Sequence, residues 1–207
     1  MDLTRPYTAI SPTLDGTVLA VLAGTTRPLT GREVARLAQR RSHSGVLDVL
    51  NRLAEHGLVE RQEAGRALLF TLNREHLAAP AVELLAGMRT ELVRRVEVAI
   101  GRWETSPIHV SIFGSAARGD GDTHSDIDLF VVRPRNVGED QELWQAQREE
   151  LAGLVEGWTG NHAGIAEIGE DDLVRLRDER PPIVAELVED AIVVQGPTVA
   201  QLLGEAR

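Results

Sequence analysis

Two apolar segments joined through a glycine-serine turn constrain the fold of this chain more than any other feature. Residues 108–113 and 127–132 have the apolar pattern of buried strands. The first segment leads directly into Gly114-Ser115, and the second begins within the run Asp126-Ile127-Asp128-Leu129. Because residues i and i+2 of a strand point to one face, Asp126 and Asp128 are predicted to stand side by side.

The paired aspartates indicate a cation site beside a phosphate-binding turn. Two neighbouring carboxylates are costly unless a cation lies between them, and hard oxygen ligands suit Mg²⁺ or Mn²⁺. Gly114 and Ser115 would present backbone N–H groups and a hydroxyl to phosphates, close to the start of a helix. This arrangement is suited to moving a nucleotide from a triphosphate to an acceptor.

The same segment resembles the nucleotidyltransferase superfamily related to DNA polymerase beta, most closely its small minimal members. Their pattern is an apolar residue, Gly-Ser or Gly-Gly, a gap, and then Asp-apolar-Asp/Glu-apolar, which Gly114-Ser115 and residues 126–129 match. Residues 117–120, Ala-Arg-Gly-Asp, and Ser125 match the small members as well. The resemblance implies an α/β (α+β) domain with a mixed sheet flanked by helices. It also implies transfer of a nucleoside monophosphate from an NTP, with ATP as the expected nucleotide and release of pyrophosphate.

The resemblance implies roles for individual residues. Asp126 and Asp128 are expected to hold the metal, and Gly114 and Ser115 the terminal phosphates. Arg118 is expected to bind nucleotide as well, although an ion pair with a neighbouring aspartate, Asp120 or Asp122, is an equally good interpretation.

A third carboxylate usually completes such a metal site and acts as the base that activates the attacking hydroxyl. Glu167 is our candidate, because it is the only acid in the predicted strand over residues 163–168. The alternative is a solvated glutamate at the end of that strand.

Residues 12–73 have the order of elements typical of a winged helix-turn-helix. A first helix is predicted over residues 14–24, a second begins at Thr30, and a third ends at Gly57. Strands over 58–63 and 66–72 follow. Thr30 and Glu33 fit a capping box at the start of the second helix. Residues 50–59 resemble the end of the recognition helix in small bacterial repressors.

This N-terminal segment is predicted to bind duplex DNA through phosphate contacts from arginines and base contacts from the start of the third helix. The residues expected to contact DNA are Arg40, Arg41, Ser42, His43, Ser44, Arg52 and Arg66. Asp48, Glu60 and Glu63 lie among them, so binding of a protein partner or dimerisation is the alternative.

Charge is distributed unevenly along the chain. Residues 1–75 contain ten Arg and eight acidic residues, a net charge of +2, whereas residues 76–207 carry −12. We expect a winged helix-turn-helix domain over 1–75, a connecting helix over 76–105 and a nucleotidyltransferase domain over 106–207. A surplus of +2 is small for a monomer that binds DNA, so we expect a homodimer.

Composition excludes several classes. The chain has no cysteine, and hence no disulfide, thiol nucleophile or Cys-based zinc site. It has no signal-peptide pattern at its start and no apolar stretch long enough for a membrane span, so a cytoplasmic protein without membrane contact is expected.

Three functions remain open at this stage. The first is an Mg²⁺-dependent transferase that modifies a protein, RNA or small-molecule hydroxyl, in a DNA-linked or toxin–antitoxin-type system. The second is a winged-helix transcription regulator whose transferase domain senses nucleotide without catalysis. The third is a protein-binding module in a two-component complex.

Overall fold

The computed structural model of the chain describes residues 1–10, 13–39 and 42–205. They form two compact units, one of Asp2 with residues 4–88 and one of Met1, Leu3 and the residues from Arg89 onward. Within these described ranges, no helix has both the length and the apolar character needed to cross a membrane.

The N-terminal unit consists of helices followed by an antiparallel hairpin. Its elements are α1 (Leu14–Ala23), β1 (Leu29–Thr30), α2 (Gly31–Leu37), α3 (His43–Glu55), β2 (Val59–Ala64), β3 (Ala67–Leu72) and α4 (Ala79–Ala86). The sheet has the order β1-β3-β2 with antiparallel pairing throughout. The two-residue strand β1 was not predicted, because it pairs with β3 only through Leu29 and Thr30 and has no pattern of its own.

The start of α2 confirms the predicted capping box. The Glu33 N–H donates to Thr30 Oγ1 over 3.3 Å, and the Thr30 N–H donates to Glu33 Oε2 over 2.8 Å. These bonds satisfy two N–H groups that a helix start leaves without intrahelical partners.

The predicted connecting helix is two helices in the structure, α4 and α5 (Met88–Ile100), which meet at Gly87. Pro80 lies in the first turn of α4. Proline is tolerated there because the N–H that it lacks would have no intrahelical acceptor.

The C-terminal unit is built around a mixed sheet, as expected. After α5 come β4 (His109–Phe113), α6 (Gly114–Arg118), β5 (Ile127–Arg133), α7 (Glu142–Thr159), β6 (Ala163–Gly169), α8 (Leu173–Glu179), α9 (Ile183–Glu189), β7 (Ile192–Gln195) and α10 (Val199–Leu202). The strand order is β6-β5-β4-β7, with β5 and β6 parallel and the other neighbours antiparallel.

Helices cover both faces of this sheet. On one face, side chains of β5 such as Leu129 and Val131 pack in one cluster with residues of α5 and α7 such as Trp144. On the other face, Phe130 packs in a cluster with residues of α9 and α10 such as Leu187. Because side chains alternate along a strand, Asp128 lies on the same face as Phe130, towards α9.

Candidate active site

The pairing of β4 with β5 brings the glycine-serine turn to the paired aspartates. Phe113, the last residue of β4, is opposite Asp128 in the ladder, and Gly114 follows directly. Gly114 has a φ of +65°, and a Cβ placed on it would lie only 2.6 Å from Asp128 Oδ2. Glycine is therefore required here, both for the backbone conformation and for the close approach of the turn to the carboxylate.

Asp126 and Asp128 place two negative charges close together. Asp126 is exposed just before β5 begins, and Asp128 is half-buried as the second residue of the strand. Burial raises the pKa of Asp128, and the charges of Asp126 and Glu186 raise it further, whereas Arg118 lowers it. Hard oxygen donors crowded in this way fit a divalent cation such as Mg²⁺, because its charge would remove the mutual repulsion.

Ser115 lies beside this pair, in the first turn of α6. A Cβ placed on Gly121 would be 2.9 Å from Ser115 Oγ, so the chain folds back closely over this hydroxyl. Within the described part of the chain Ser115 Oγ has no hydrogen-bond partner and is able to donate to a ligand. The residues that follow Gly121 form a tight turn, in which Asp122 accepts from the His124 N–H over 2.8 Å.

Arg118 is occupied by carboxylates. Its Nε donates to Asp120 over 3.1 Å, its Nη1 donates to Glu186 on α9 over 3.0 Å, and Asp190 lies 3.9 Å away. In this structure Arg118 therefore forms the ion pair with Asp120 that the sequence offered as the alternative to nucleotide binding. The positive charge of Arg118 nevertheless lowers the pKa of Asp128.

Glu167 is not brought to the aspartate pair. In the parallel ladder Asp128 is opposite Gly164 and Val131 is opposite Glu167, three positions further along. An odd separation places Glu167 on the other face of the sheet, towards α7. The expectation that Glu167 is the third carboxylate is therefore not supported by this geometry.

The Glu167 carboxylate instead joins a buried cluster. It accepts from Arg133 over 2.7 Å, from Trp144 Nε1 over 3.0 Å, and from Arg148. Its side chain is only 7% exposed, so the alternative of a solvated strand-end glutamate does not hold either.

A glycine occupies the position of β6 that neighbours Asp128. A Cβ placed on Gly164 would lie 3.1 Å from Asp128 Oδ1, so no side chain separates the carboxylate from this strand. Across the described residues, no group of three or more His, Cys, Asp or Glu side chains is arranged to hold a metal ion. Among the described residues, Asp126 and Asp128 therefore have no third side chain of these types grouped with them to hold a metal ion.

Sequence reasoning missed other residues at the site. Arg89 of α5 donates to the Ala117 carbonyl over 3.2 Å at the end of α6. Glu186 reaches Arg118 from α9, and Gly164 borders Asp128. An isolated glycine in a strand marks close approach and was a usable signal for Gly164. The positions of Arg89 and Glu186 depend on how helices pack and had no local signal.

The predicted DNA-contacting residues lie around α3 and the hairpin of the N-terminal unit. Ser42 caps α3 by accepting from the Gly45 N–H over 3.3 Å, and His43 and Ser44 are exposed in its first turn. Arg66 is exposed at the hairpin turn, whereas Arg52 pairs with Asp15. Arg40 and Arg41 lie outside the described residues.

Comparison with known families gives one match. Residues 94–194 match the family model described as the nucleotidyltransferase domain, of the polymerase-beta-like type. This range contains Gly114, Ser115, Asp126 and Asp128, and the match supports a nucleotidyltransferase activity. Neither a search of curated proteins nor a search of solved structures found a match.

Proposed function

We propose that the nucleotidyltransferase domain transfers a nucleoside monophosphate from an NTP, with ATP as the expected donor, to a hydroxyl group in a reaction that requires Mg²⁺ or Mn²⁺. The acceptor hydroxyl belongs to a protein, an RNA or a small molecule, and pyrophosphate leaves. The observation that carries this proposal is the pairing of Phe113 with Asp128, because it brings the turn at Gly114 against the paired aspartates.

Each site residue has a role in this proposal. Asp126 and Asp128 hold the metal ion, which when bound would neutralise charge on the phosphates of the nucleotide. The Ser115 hydroxyl donates to a phosphate oxygen, and the absence of a side chain at Gly114 lets the backbone approach the nucleotide. Glu167 has no role in catalysis here, because it lies on the opposite face of the sheet.

Arg118 binds nucleotide in this proposal by exchanging partners. Its guanidinium presents five N–H donors, and phosphate oxygens compete with carboxylates for them. Arg118 would leave Glu186 for a phosphate when the nucleotide enters, since its ion pair with Glu186 is exposed and therefore weak.

A second candidate function is a winged-helix transcription regulator whose transferase domain senses nucleotide without catalysis. The specific observation in its favour is that Gly164, which has no side chain, occupies the position of β6 next to Asp128. A carboxylate at this position of β6 would reach a metal ion held by Asp128. A site with two carboxylates can bind a metal-nucleotide complex without the base that transfer needs.

We propose further that residues 1–75 form a winged helix-turn-helix that binds duplex DNA as a homodimer. The order of three helices followed by a hairpin supports this, as do the exposed side chains of Ser42, His43 and Ser44 at the start of α3. Asp48 is exposed on the same helix, so a protein partner remains the alternative to DNA. A transferase domain joined to such a unit suits a toxin–antitoxin-type system.

Nucleotide binding by a variant without the aspartate pair tests the proposed site. We expect Asp126→Asn with Asp128→Asn to abolish Mg²⁺-dependent binding of a non-hydrolysable ATP analogue in isothermal titration calorimetry. The fold should persist, because removing two crowded like charges does not destabilise the unliganded site.

A matched control separates loss of the site from loss of charge. Glu139→Gln with Asp140→Asn removes the same two charges from exposed positions between β5 and α7. This control should bind the analogue as the wild type does. Equal affinity in wild type and the Asp126/Asp128 variant would refute the proposed site.

A further inference from the structure

The turn after α7 holds the chain on both sides of Asp126. Asn161, a residue that is only 4% exposed, donates from its side-chain Nδ2 to the Ser125 carbonyl over 2.8 Å. The next residue, His162, accepts from the Ile127 N–H over 2.9 Å through its carbonyl. Asp126 therefore lies between two backbone groups that are both bonded to residues 161–162.

The two aspartates are fixed to different degrees by the sheet. Asp128 lies inside β5 and is paired with Phe113 on one side and with Gly164 on the other. Asp126 precedes the strand and has no partner in either ladder. The position of Asp126 relative to Asp128 thus depends on the turn at Asn161 more than on the sheet.

Asn161 is itself held firmly. Its backbone N–H donates to Thr159 Oγ1 over 3.1 Å, and that hydroxyl donates to the Val155 carbonyl over 2.8 Å in the last turn of α7. Its amide oxygen accepts from the Met1 amino group. A buried amide with both ends bonded transmits the position of α7 to the chain at Ser125.

We propose that Asn161 is a positioning residue that sets the spacing of the Asp126 and Asp128 carboxylates, and thereby the preference of the site for a small divalent cation. This inference rests on the proposed function, because it takes the aspartate pair as the metal site. Mg²⁺ requires near-ideal octahedral geometry with oxygens at about 2.0–2.1 Å, whereas Ca²⁺ accepts irregular sites with longer bonds. Loss of the Asn161 bond therefore weakens Mg²⁺ binding more than Ca²⁺ binding.

The test compares the two ions in calorimetric titrations with the non-hydrolysable ATP analogue AMPCPP. We expect Asn161→Ala to raise the Kd of the Mg²⁺–AMPCPP complex by roughly tenfold to a hundredfold, as loss of a residue that orients a metal ligand does. The Kd of the Ca²⁺–AMPCPP complex should change much less. A purely structural role would change both values together or neither.

Two further variants keep the result interpretable. Asn73→Ala removes the same kind of bond, from Nδ2 to the Gly57 carbonyl over 2.9 Å, in the N-terminal unit and should leave both Kd values unchanged. Asn161→Asp retains the side-chain volume but loses the donor, and it replaces Asn161→Ala if the latter does not fold. The negative charge that this variant adds acts on Mg²⁺ and Ca²⁺, which carry the same charge. The ratio of the Kd values of the two AMPCPP complexes therefore still depends on the geometry of the site.

The outcomes separate this inference from the function on which it rests. Wild-type protein that binds no metal–AMPCPP complex overturns both. Wild-type binding with an unchanged ratio of Mg²⁺ to Ca²⁺ affinity in the Asn161 variants overturns the positioning role alone.

Discussion

Glu167 is predicted to stabilise the C-terminal unit without taking part in catalysis, and Glu167→Gln tests this. The substitution leaves two arginines, Arg133 and Arg148, facing a neutral amide. Their side chains are 15% and 26% exposed, so water reaches them only in part. The Nε of Arg148 is already buried without a hydrogen-bond partner among the described residues.

The magnitude follows from the burial of this cluster. Removing one partner of a fully buried ion pair costs about 3–5 kcal/mol of unfolding free energy. Partial exposure of both arginines and the oxygen that glutamine retains reduce this, so we expect a loss of about 2–4 kcal/mol. The kcat of the folded enzyme should stay within about twofold of wild type, because Glu167 does not touch the site.

Urea unfolding followed by tryptophan fluorescence measures the loss. The three tryptophans of the chain all lie beyond Met88, and Trp144 bonds Glu167 directly. Glu91→Gln is the control, because Glu91 pairs with two arginines on the exposed surface of α5 and its loss should cost far less. A fall in kcat of roughly a hundredfold with unchanged stability would instead identify Glu167 as the base.

Other predictions concern pH, nucleotide affinity and DNA. Burial lowers the pKa of His109 from its ordinary value of 6.5, while its Nδ1–H donates to the Pro197 carbonyl over 2.7 Å. The unfolded chain binds the His109 proton more readily than the folded chain does. The free energy of unfolding should therefore be highest above pH 6.5 and fall as the pH drops below it. In urea titrations at several pH values, His109→Gln should reduce this fall. Glu186→Gln should raise affinity for the ATP analogue about two- to fivefold by calorimetry, because it frees Arg118 from a weak exposed pair; unchanged or lower affinity would contradict the partner exchange. Arg66→Ala should weaken binding to all DNA sequences alike and flatten its salt dependence in mobility-shift assays, and wild type that shifts no promoter fragment at low salt would contradict DNA binding.

The core of the candidate site could be predicted from sequence because its signals are local. The apolar pattern of β4 and β5 predicts the two strands, and the i, i+2 spacing predicts a shared face for Asp126 and Asp128, although in the structure Asp126 precedes β5. Gly114 could be identified because it directly follows an apolar strand, whereas its approach to Asp128 depends on the register of β4 with β5.

The face of the sheet on which Glu167 lies could not be predicted from sequence. Its strand reads Ala-Gly-Ile-Ala-Glu-Ile, without a clean alternation of polar and apolar residues. A shift of one residue moves every side chain to the other face, and only the register with β5 decides it. Asn161 and Glu186 could not be identified from sequence for the same reason, because they reach the site from a turn and a helix far along the chain.

In the N-terminal unit, too, features set by neighbouring residues could be predicted, whereas features set by packing could not. The capping box of Thr30 and Glu33 and the hairpin of β2 and β3 depend on neighbouring residues and were predicted correctly. The ion pair of Arg52 with Asp15 joins two helices and could not be read from sequence. It neutralises one of the charges on which the DNA prediction depended.

Whether this domain transfers a nucleotide is decided by the fate of the two ends of the triphosphate. Purified protein is incubated with Mg²⁺ and ATP labelled at the α-phosphate or at the γ-phosphate, together with a co-expressed protein partner, RNA or candidate small molecules. We expect the α label to become attached to an acceptor and the γ label to be released as pyrophosphate, and we expect Asp126→Asn with Asp128→Asn to abolish both. Transfer of the γ label, or undiminished transfer by the double variant, would rule out nucleotidyl transfer at this site.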